Sequence, residues 1–490
     1  MTQDEFVNEL IKHAKQNWTS YWQKFPDEQR LRLSSMEKEI RSISRRLEQG
    51  LLCLLAEHLD KLAIELEGQC GCGRHREKRS KSIDINLMDH LCEFTCTYLY
   101  CRHCHQGINP VRNWLGLEDG GVSLDFERAL TDLTTRMTYG DAVESMKEHH
   151  AQVIDRTKAE RVTYEVAKEA EIYLQERRQG TLDKLCSDDH DELPQLEFTA
   201  DGGAIPTGEL KRPTTPEEIA RTPKTEVREL PKGTREIKGR EARFICVHGS
   251  ESDAPRVVDC HIAPYENTRY TGERMLAAAI EAGLGNKSHI HGVFDMGKWI
   301  HTQFEEQFYA YGNSACADIM HVTEYLIDAG RVLVGPQKAV GWGMAQKQLL
   351  LCGEYGKVFV KLTQHECDES CQKNENGKCL VKVAETYLKN NGDYMREYPQ
   401  FIANDLPIGS GEAESGIRHI IKRRMSVAGA WTERKASLLL ALLTIRHSGW
   451  WDDFWQWRDR KDLKSWQNRR EGKSKTVFRG KRCSSRKRAA

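Results

Sequence analysis

Three acidic residues stand where the pattern of the chain changes. In "LEFTADGGAI" (196–205), an alternating apolar run through Leu196, Phe198 and Ala200 reaches Asp201, and two glycines follow. In "HGVFDMGKWI" (291–300), Val293 and Phe294 end a strand-like run and Asp295 comes next. In "PIGSGEAESGIRHIIKRRM" (407–425), a Pro-Ile-Gly-Ser-Gly turn opens a helix with Glu414 in its first turn. A carboxylate at the edge of an apolar run loses hydration that something must replace. A helix cap is one replacement, since Asp is a favoured N-cap. A divalent cation is the other. Magnesium takes hard oxygen donors, and two such ions about 4 Å apart stabilise the attacking and leaving oxygens of a phosphodiester. Such a site needs a third acid. Glu414 fills that place, with Glu412 competing on spacing alone. Arg418 and Lys422 follow Glu414 at i+4 and i+8, and with Arg423 and Arg424 they form a basic stretch suited to phosphate.

The elements around these acids read as strand, strand, strand, helix, strand. The runs are "LEFTADGGAI", "ARFICVHGS" and "RVVDCHIAPYE", then the helical "TGERMLAAAIEAGL", then "HIHGVF" ending at Asp295. That is the order of a ribonuclease-H-like fold, in which the first and fourth strands are neighbours, so Asp201 and Asp295 share one site. "ACADIMHVTEYL" adds a fifth short strand and a turn carrying Asp318 and His321. The segment 206–241 holds five prolines and mixed charge and reads as an extended or disordered loop. Beside Asp201, its Lys211, Arg212, Arg235 and Lys238 either touch DNA or belong to a solvated insertion.

A reducing compartment disfavours structural disulfides among the 16 cysteines, which points to metal. Cys70 and Cys72 form one close pair and Cys101 and Cys104 another, joined by a β-prone ribbon. Two such pairs suit a tetrahedral four-cysteine zinc site. His103, His105, Cys92 and Cys96 are possible substitutes, and buried free cysteines are the plainer alternative. His365, Cys367, Cys371 and Cys379 make a second possible zinc cluster, irregular in spacing.

Residues 30–66 place Met36, Ile40, Ile43, Leu47, Leu51 and Leu54 three and four apart, a long amphipathic helix of a bundle or coiled coil. Residues 123–176 read as two helical patterns broken near "HHAQVID", with Asp155 or Thr157 capping the second. This suits a helix-turn-helix or an ordinary helical hairpin. The polar stretch 177–195 marks a linker. Formal net charge is zero, yet residues 458–490 carry 14 Lys and Arg against 3 acids, a net +11, leaving −11 elsewhere. That basic tail is expected to be disordered and to meet nucleic acid, unless it only solubilises. No run of 18 apolar residues and no signal-peptide pattern occurs. The expectation is a soluble cytoplasmic protein with no membrane contact.

Together, "TADGG", "GVFDMGKWI", "DIMHVTEYL" and "PIGSGEAES…RR…GAWTE…LLLALLTIRHSGWWDDFW" resemble bacterial insertion-sequence transposases with a Mutator-like DDE core, the Kra type. The likeness covers residues 65–460. It implies Asp201 as the first D, Asp295 as the second and Glu414 as the E, holding two Mg²⁺. Met296-Gly297 departs from the Gly-Ala that usually follows the second Asp. Asp318 and His321 look like that group's signature pair near the active site. The 119 positions between Asp295 and Glu414 exceed a bare ribonuclease-H fold, so the resemblance implies a helical insertion.

The expected architecture is therefore an α+β multidomain chain. Residues 1–66 are helical and 67–122 zinc-ribbon-like. Residues 123–176 form a helical DNA-binding region. Residues 196–323 and 406–457 form the ribonuclease-H-like α/β core, 324–405 the all-α insertion and 458–490 the basic tail. The resemblance implies an enzyme that cuts DNA at element ends and joins them to target DNA, acting as a homodimer or larger assembly near the bacterial nucleoid. A nuclease without strand transfer and a catalytically dead zinc-dependent DNA binder stay open as alternatives.

Overall fold

The structure, a computed structural model, describes residues 3–24, 32–115, 121–184, 192–210, 235–251, 254–264, 269–368, 371–426 and 431–470. The fold is mixed α+β. The chain divides into two compact units, residues 1–163 with 455–490 and residues 164–454. The division falls inside the Arg156–Lys184 and Trp451–Arg470 helices.

In the first unit, the Leu33–Glu67 helix runs through the stretch read as amphipathic. A three-stranded antiparallel sheet of β1 (Glu77–Asn86), β2 (Leu91–Cys101) and β3 (Gln106–Ile108) follows. Ile83, Ile85, Phe94, Cys92 and Cys96 alternate inward and bury against Ala56 of that helix. Asp60 accepts from both the backbone N and the hydroxyl of Thr97, at 2.8 and 2.6 Å. The Leu124–Arg136 and Tyr139–His150 helices come next. The following helix starts at Arg156, and Asp155 caps it by accepting from Lys158 N at 2.6 Å. That helix continues to Lys184, so the first part of the stretch read as a linker is helical. Residues 458–470, read as the start of a disordered tail, belong to the Trp451–Arg470 helix. Residues 471–490 lie outside the described residues.

The second unit is built on a five-stranded sheet. Its strands are β4 (Gln195–Leu210), β5 (Arg235–Gly249), β6 (Arg256–Ile262), β7 (His289–Phe294) and β8 (Gly312–Ala317). Their spatial order is β6-β5-β4-β7-β8, antiparallel among the first three and parallel from β4 through β8. The first and fourth strands of this unit are thus neighbours, as expected. The 206–241 loop is corrected. Residues 206–210 and 235–241 pair as the outer arms of the β4–β5 hairpin, with Leu210 opposite Arg235. Pro206 is tolerated there because its carbonyl, not its missing N–H, is used, accepting from Trp431 N at 3.1 Å. Lys211 and Arg212 lie outside the described residues.

One sheet face is closed by the Arg269–Glu281 and Lys298–Phe308 helices, where Phe198, Phe294, Phe304 and Phe308 form a fully buried aromatic cluster. Each ring contributes roughly 1.5–3 kcal/mol by burial. The exposed backbone of edge strand β6 is covered by the Glu433–His447 helix. Thr444 and Ser448 hydroxyls accept from Cys260 N and Val258 N, each at 2.9 Å. Between β8 and this helix, the described residues of 319–403 include successive helices from Ile319–Leu333 to Tyr398–Ala403, matching the helical character read for that stretch. Among the described residues, no helix is long and apolar enough to cross a membrane.

Candidate functional site

The pleat decides where the aspartates point. On β4, Leu196, Phe198 and Ala200 face the aromatic core, so Thr199 and Asp201 face the other side. Thr199 pairs in parallel register with Val293. The pairing ends there, Asp201 lies two residues further along β4, and Asp295 directly follows the end of β7 at Phe294. Asp201 is partly buried, and its Oδ1 accepts from Gly202 N at 2.6 Å. Burial raises its pKa above the usual carboxylate value and the Asp295 charge raises it further, while the Gly202 N–H, His321 and Lys422 oppose the shift. The two carboxylates are thus close enough for one charge to act on the other.

Asp295 uses one carboxylate oxygen in a local turn. Its Oδ1 accepts from Gly297 N at 2.8 Å, closing a turn, while Gly297 itself precedes the Lys298–Phe308 helix without a side-chain cap. No hydrogen bond to Oδ2 occurs among the described residues. Met296, between them, takes φ +64°, the left-handed conformation that glycine adopts without cost. Trp299 lies under the Arg243 guanidinium, 3.9 Å from its ring centroid, and so helps pack the helix start.

The helix that carries Glu414 crosses the same sheet face. It runs from Gly411–Gly416 through a π-helical Ile417–Lys422 turn into Arg423–Met425. The approach is close enough to require glycine. A Cβ on Gly416 would fall 2.3 Å from the Phe244 ring, and one on Gly203 would fall 2.6 Å from Ile417 Cγ2. Lys422 Cε passes 3.3 Å from that Gly203 position, which explains its influence on Asp201. Glu414 is exposed, and its carboxylate has no hydrogen bond or ion pair among the described residues. Its oxygens do not fall in one group with those of Asp201 and Asp295 whose members all lie within 4.8 Å. Arg418 and Arg423 are exposed. Arg424 corrects the reading of a basic DNA-facing stretch, because it is 2% exposed and lies 4.9 Å from the Trp431 ring.

Asp318 and His321 have separate roles. Asp318 caps the Ile319–Leu333 helix through Met320 N at 2.7 Å and accepts from the Ser410 hydroxyl at 2.5 Å. It therefore anchors the turn entering the Glu414 helix. His291 donates to Pro407 O in the same turn at 2.9 Å. His321 is about one-third exposed and packs edge-on against Tyr325 and Tyr387. No local pattern points to Tyr387, whose hydroxyl donates to Asp295 O at 3.1 Å from 92 positions away.

In the first unit, Cys70, Cys72, Cys101 and Cys104 come together with all four sulfurs within 4.8 Å. The Cys70–Cys104 and Cys72–Cys101 separations are 3.9 and 3.7 Å. Four thiolates at about 2.3 Å from zinc lie about 3.8 Å apart, so the quartet could hold that ion. Cys92 and Cys96 instead belong to the hairpin core and leave the candidate ligand set. His365, Cys367, Cys371 and Cys379 form a second group of the same compactness. The sequence reading also passed over the basic run from Arg74 to Lys81, visible as charge alone. On β1, Arg79 and Lys81 are exposed and stack over Tyr100 and Tyr98, at 4.3 and 5.6 Å.

No protein-family model matches the chain, and no curated protein matches it. A solved structure of the Drosophila P element transposase strand transfer complex is similar over 68% of this chain and 81% of that one. The identity is 9% and the TM-score 0.25, which is too loose a likeness to carry fold or function across.

Proposed function

We propose that this chain is a DDE-type DNA transposase with a ribonuclease-H-like core, in which Asp201, Asp295 and Glu414 hold two Mg²⁺ ions. The observation that supports the reading is the parallel pairing of β4 and β7, which stops two residues short of Asp201 and Asp295, together with the effect of the Asp295 charge on Asp201. An all-oxygen donor set and a half-buried carboxylate pair fit magnesium. When bound, the ions supply Lewis-acid stabilisation of the attacking and leaving oxygens.

The protein's own groups position and exclude. Gly202 and Gly297 N–H groups fix one oxygen of each aspartate and leave the other to turn outward. Lys422 offers a cation beside Asp201 for a phosphate oxygen. Glu414, exposed on the helix that crosses the same sheet face, is the third acid of the proposed set. Exposed Arg418 and Arg423 extend the positive path for DNA, and the cysteine-quartet unit with its basic β1 supplies further phosphate contacts.

The test is a donor plasmid carrying the coding sequence with its native flanking DNA, mixed with a target plasmid in Mg²⁺. Joined products are expected from the wild type. Asp201→Asn, Asp295→Asn and Glu414→Gln should each cost on the order of 10³-fold. Cleavage without joining would replace the reading with a nuclease. DNA binding without cleavage would replace it with a DNA-binding protein.

A further inference from the structure

We propose that His365, Cys367, Cys371 and Cys379 form a structural zinc centre that locks the loop between the Tyr355–Thr363 and Leu380–Asn391 helices. Their four donor atoms already lie within 4.8 Å of one another. His365 Nε2 is 3.5 Å from Cys371 Sγ, and Cys367 Sγ and Cys379 Sγ, 2.6 Å apart, must open to about 3.8 Å to share an ion. The intervening chain is shaped to bring them there. Lys373 and Cys379 bridge as an antiparallel pair, Asn374 N donates to Lys378 O at 2.8 Å, and Gly377 turns the chain at φ +72°. Asp368 N points at Cys371 Sγ at 3.4 Å, an N–H···S contact that favours thiolate. Cys379 is the residue that begins the Leu380–Asn391 helix and is buried.

Three thiolates and one imidazole select a borderline-soft, tetrahedral ion, and zinc is the metal of that ligand set. Binding replaces the protons of three thiols, which pass to solvent, and leaves His365 neutral. The centre ties the end of one helix to the start of the next. That second helix carries Tyr387, stacked on Tyr325 at 4.3 Å and bonded to the Asp295 carbonyl. A role for that bond in holding Asp295 as a metal ligand rests on the function proposed above, whereas the zinc centre stands apart from it.

Elemental analysis of the full-length protein, purified under reducing conditions, tests the centre. Two zinc ions per chain are expected, falling to one in Cys371→Ser/Cys379→Ser and to one in Cys70→Ser/Cys104→Ser. A wild type with a single zinc that only the Cys70→Ser/Cys104→Ser variant loses would overturn the proposal. So would a Cys367–Cys379 disulfide with no second metal in mass spectra of unreduced protein. Because losing a ligand can unfold a variant, X-ray absorption on the wild type is the second measurement. Seven sulfurs and one nitrogen over two zinc ions are expected from the two clusters, and an all-sulfur shell overturns the assignment. Zinc content is read without DNA, so failure here and failure to join DNA ends are separate results.

Discussion

Glu412 Oε2 lies 2.8 Å from His248 Nε2, with Arg256 at 3.7 Å from its other oxygen, whereas Glu414 two residues on has no such partner among the described residues. Residues two apart on a helix point to nearly opposite sides. Glu412 turns to β5 and β6 and fastens the helix start to the sheet, and the proposed function makes Glu414, not Glu412, the metal ligand. Glu412→Gln should therefore lower stability by about 0.2–1 kcal/mol, as expected for a half-exposed ion pair. It should leave Mn²⁺ affinity unchanged. Glu414→Gln should do the reverse, lowering Mn²⁺ affinity without moving the melting midpoint. Calorimetric titration and thermal melts of both variants separate the two.

Asp259, His261 and Arg274 form a buried group that sets a pH response. Asp259 accepts from His261 Nδ1 at 2.8 Å and from Arg274 at 2.6 Å. Burial lowers the His261 pKa from 6.5 to about 4, Asp259 opposes the shift, and Arg274 and Arg243 add to it. The imidazole is thus neutral in the native protein and charged in the unfolded chain between those values. The unfolded state binds the extra proton, so stability rises with pH across this window. On acidification from pH 6.5 to 4, wild type should lose on the order of 3 kcal/mol that His261→Gln does not lose. Urea melts across this range would read the slope, and parallel curves for the two proteins would refute it.

Met296 holds a left-handed backbone where a glycine would carry no strain. Its side chain is also 9% exposed within the core, so any truncation loses burial. Alanine and glycine both lose it, but alanine keeps a Cβ at positive φ. Met296→Gly should consequently be more stable than Met296→Ala by about 1 kcal/mol, the opposite of their order in ordinary backbone. Denaturant midpoints of the two variants give the answer directly.

Local patterns were legible and distant ones were not. Alternation of Leu196, Phe198 and Ala200, and the apolar run to Phe294, named the strands that bear both aspartates. The hairpin arms beyond Ile205 were hidden because prolines at 206, 213, 216, 223 and 231 dominate the composition there. Pro206 stays in the ladder only through Trp431, which is 225 positions away. Spacing could not separate Glu412 from Glu414, since His248 decides it from β5. Arg424 reads as surface charge until Trp431 covers it. The Ser410–Asp318 bond spans 92 positions and leaves no local mark in the sequence.

Tyr387 links the helical stretch to the acids through a single bond to the Asp295 carbonyl. Removing that hydroxyl leaves the ring stacked on Tyr325, so the change is confined to one hydrogen bond. Such a bond contributes about 1 kcal/mol net. Tyr387→Phe should weaken Mn²⁺ binding about fivefold and leave zinc content as it is. Unchanged Mn²⁺ affinity would mean that Asp295 is held by its own turn at Gly297.

The basic strand β1 makes the last prediction. Arg79 and Lys81 share one exposed face with Tyr98 and Tyr100, pairing charge for phosphate with rings that hold the cationic side chains in place. Each cation that neutralises a phosphate releases about one counterion, so its loss flattens the dependence of affinity on salt. Arg79→Ala/Lys81→Ala should bind duplex DNA more weakly, with the slope of log K against log salt reduced by about 2. The weakening should be uniform across sequences, because phosphate contacts carry no base information. A variant that loses affinity for one DNA sequence and not for others would instead place these side chains at base edges.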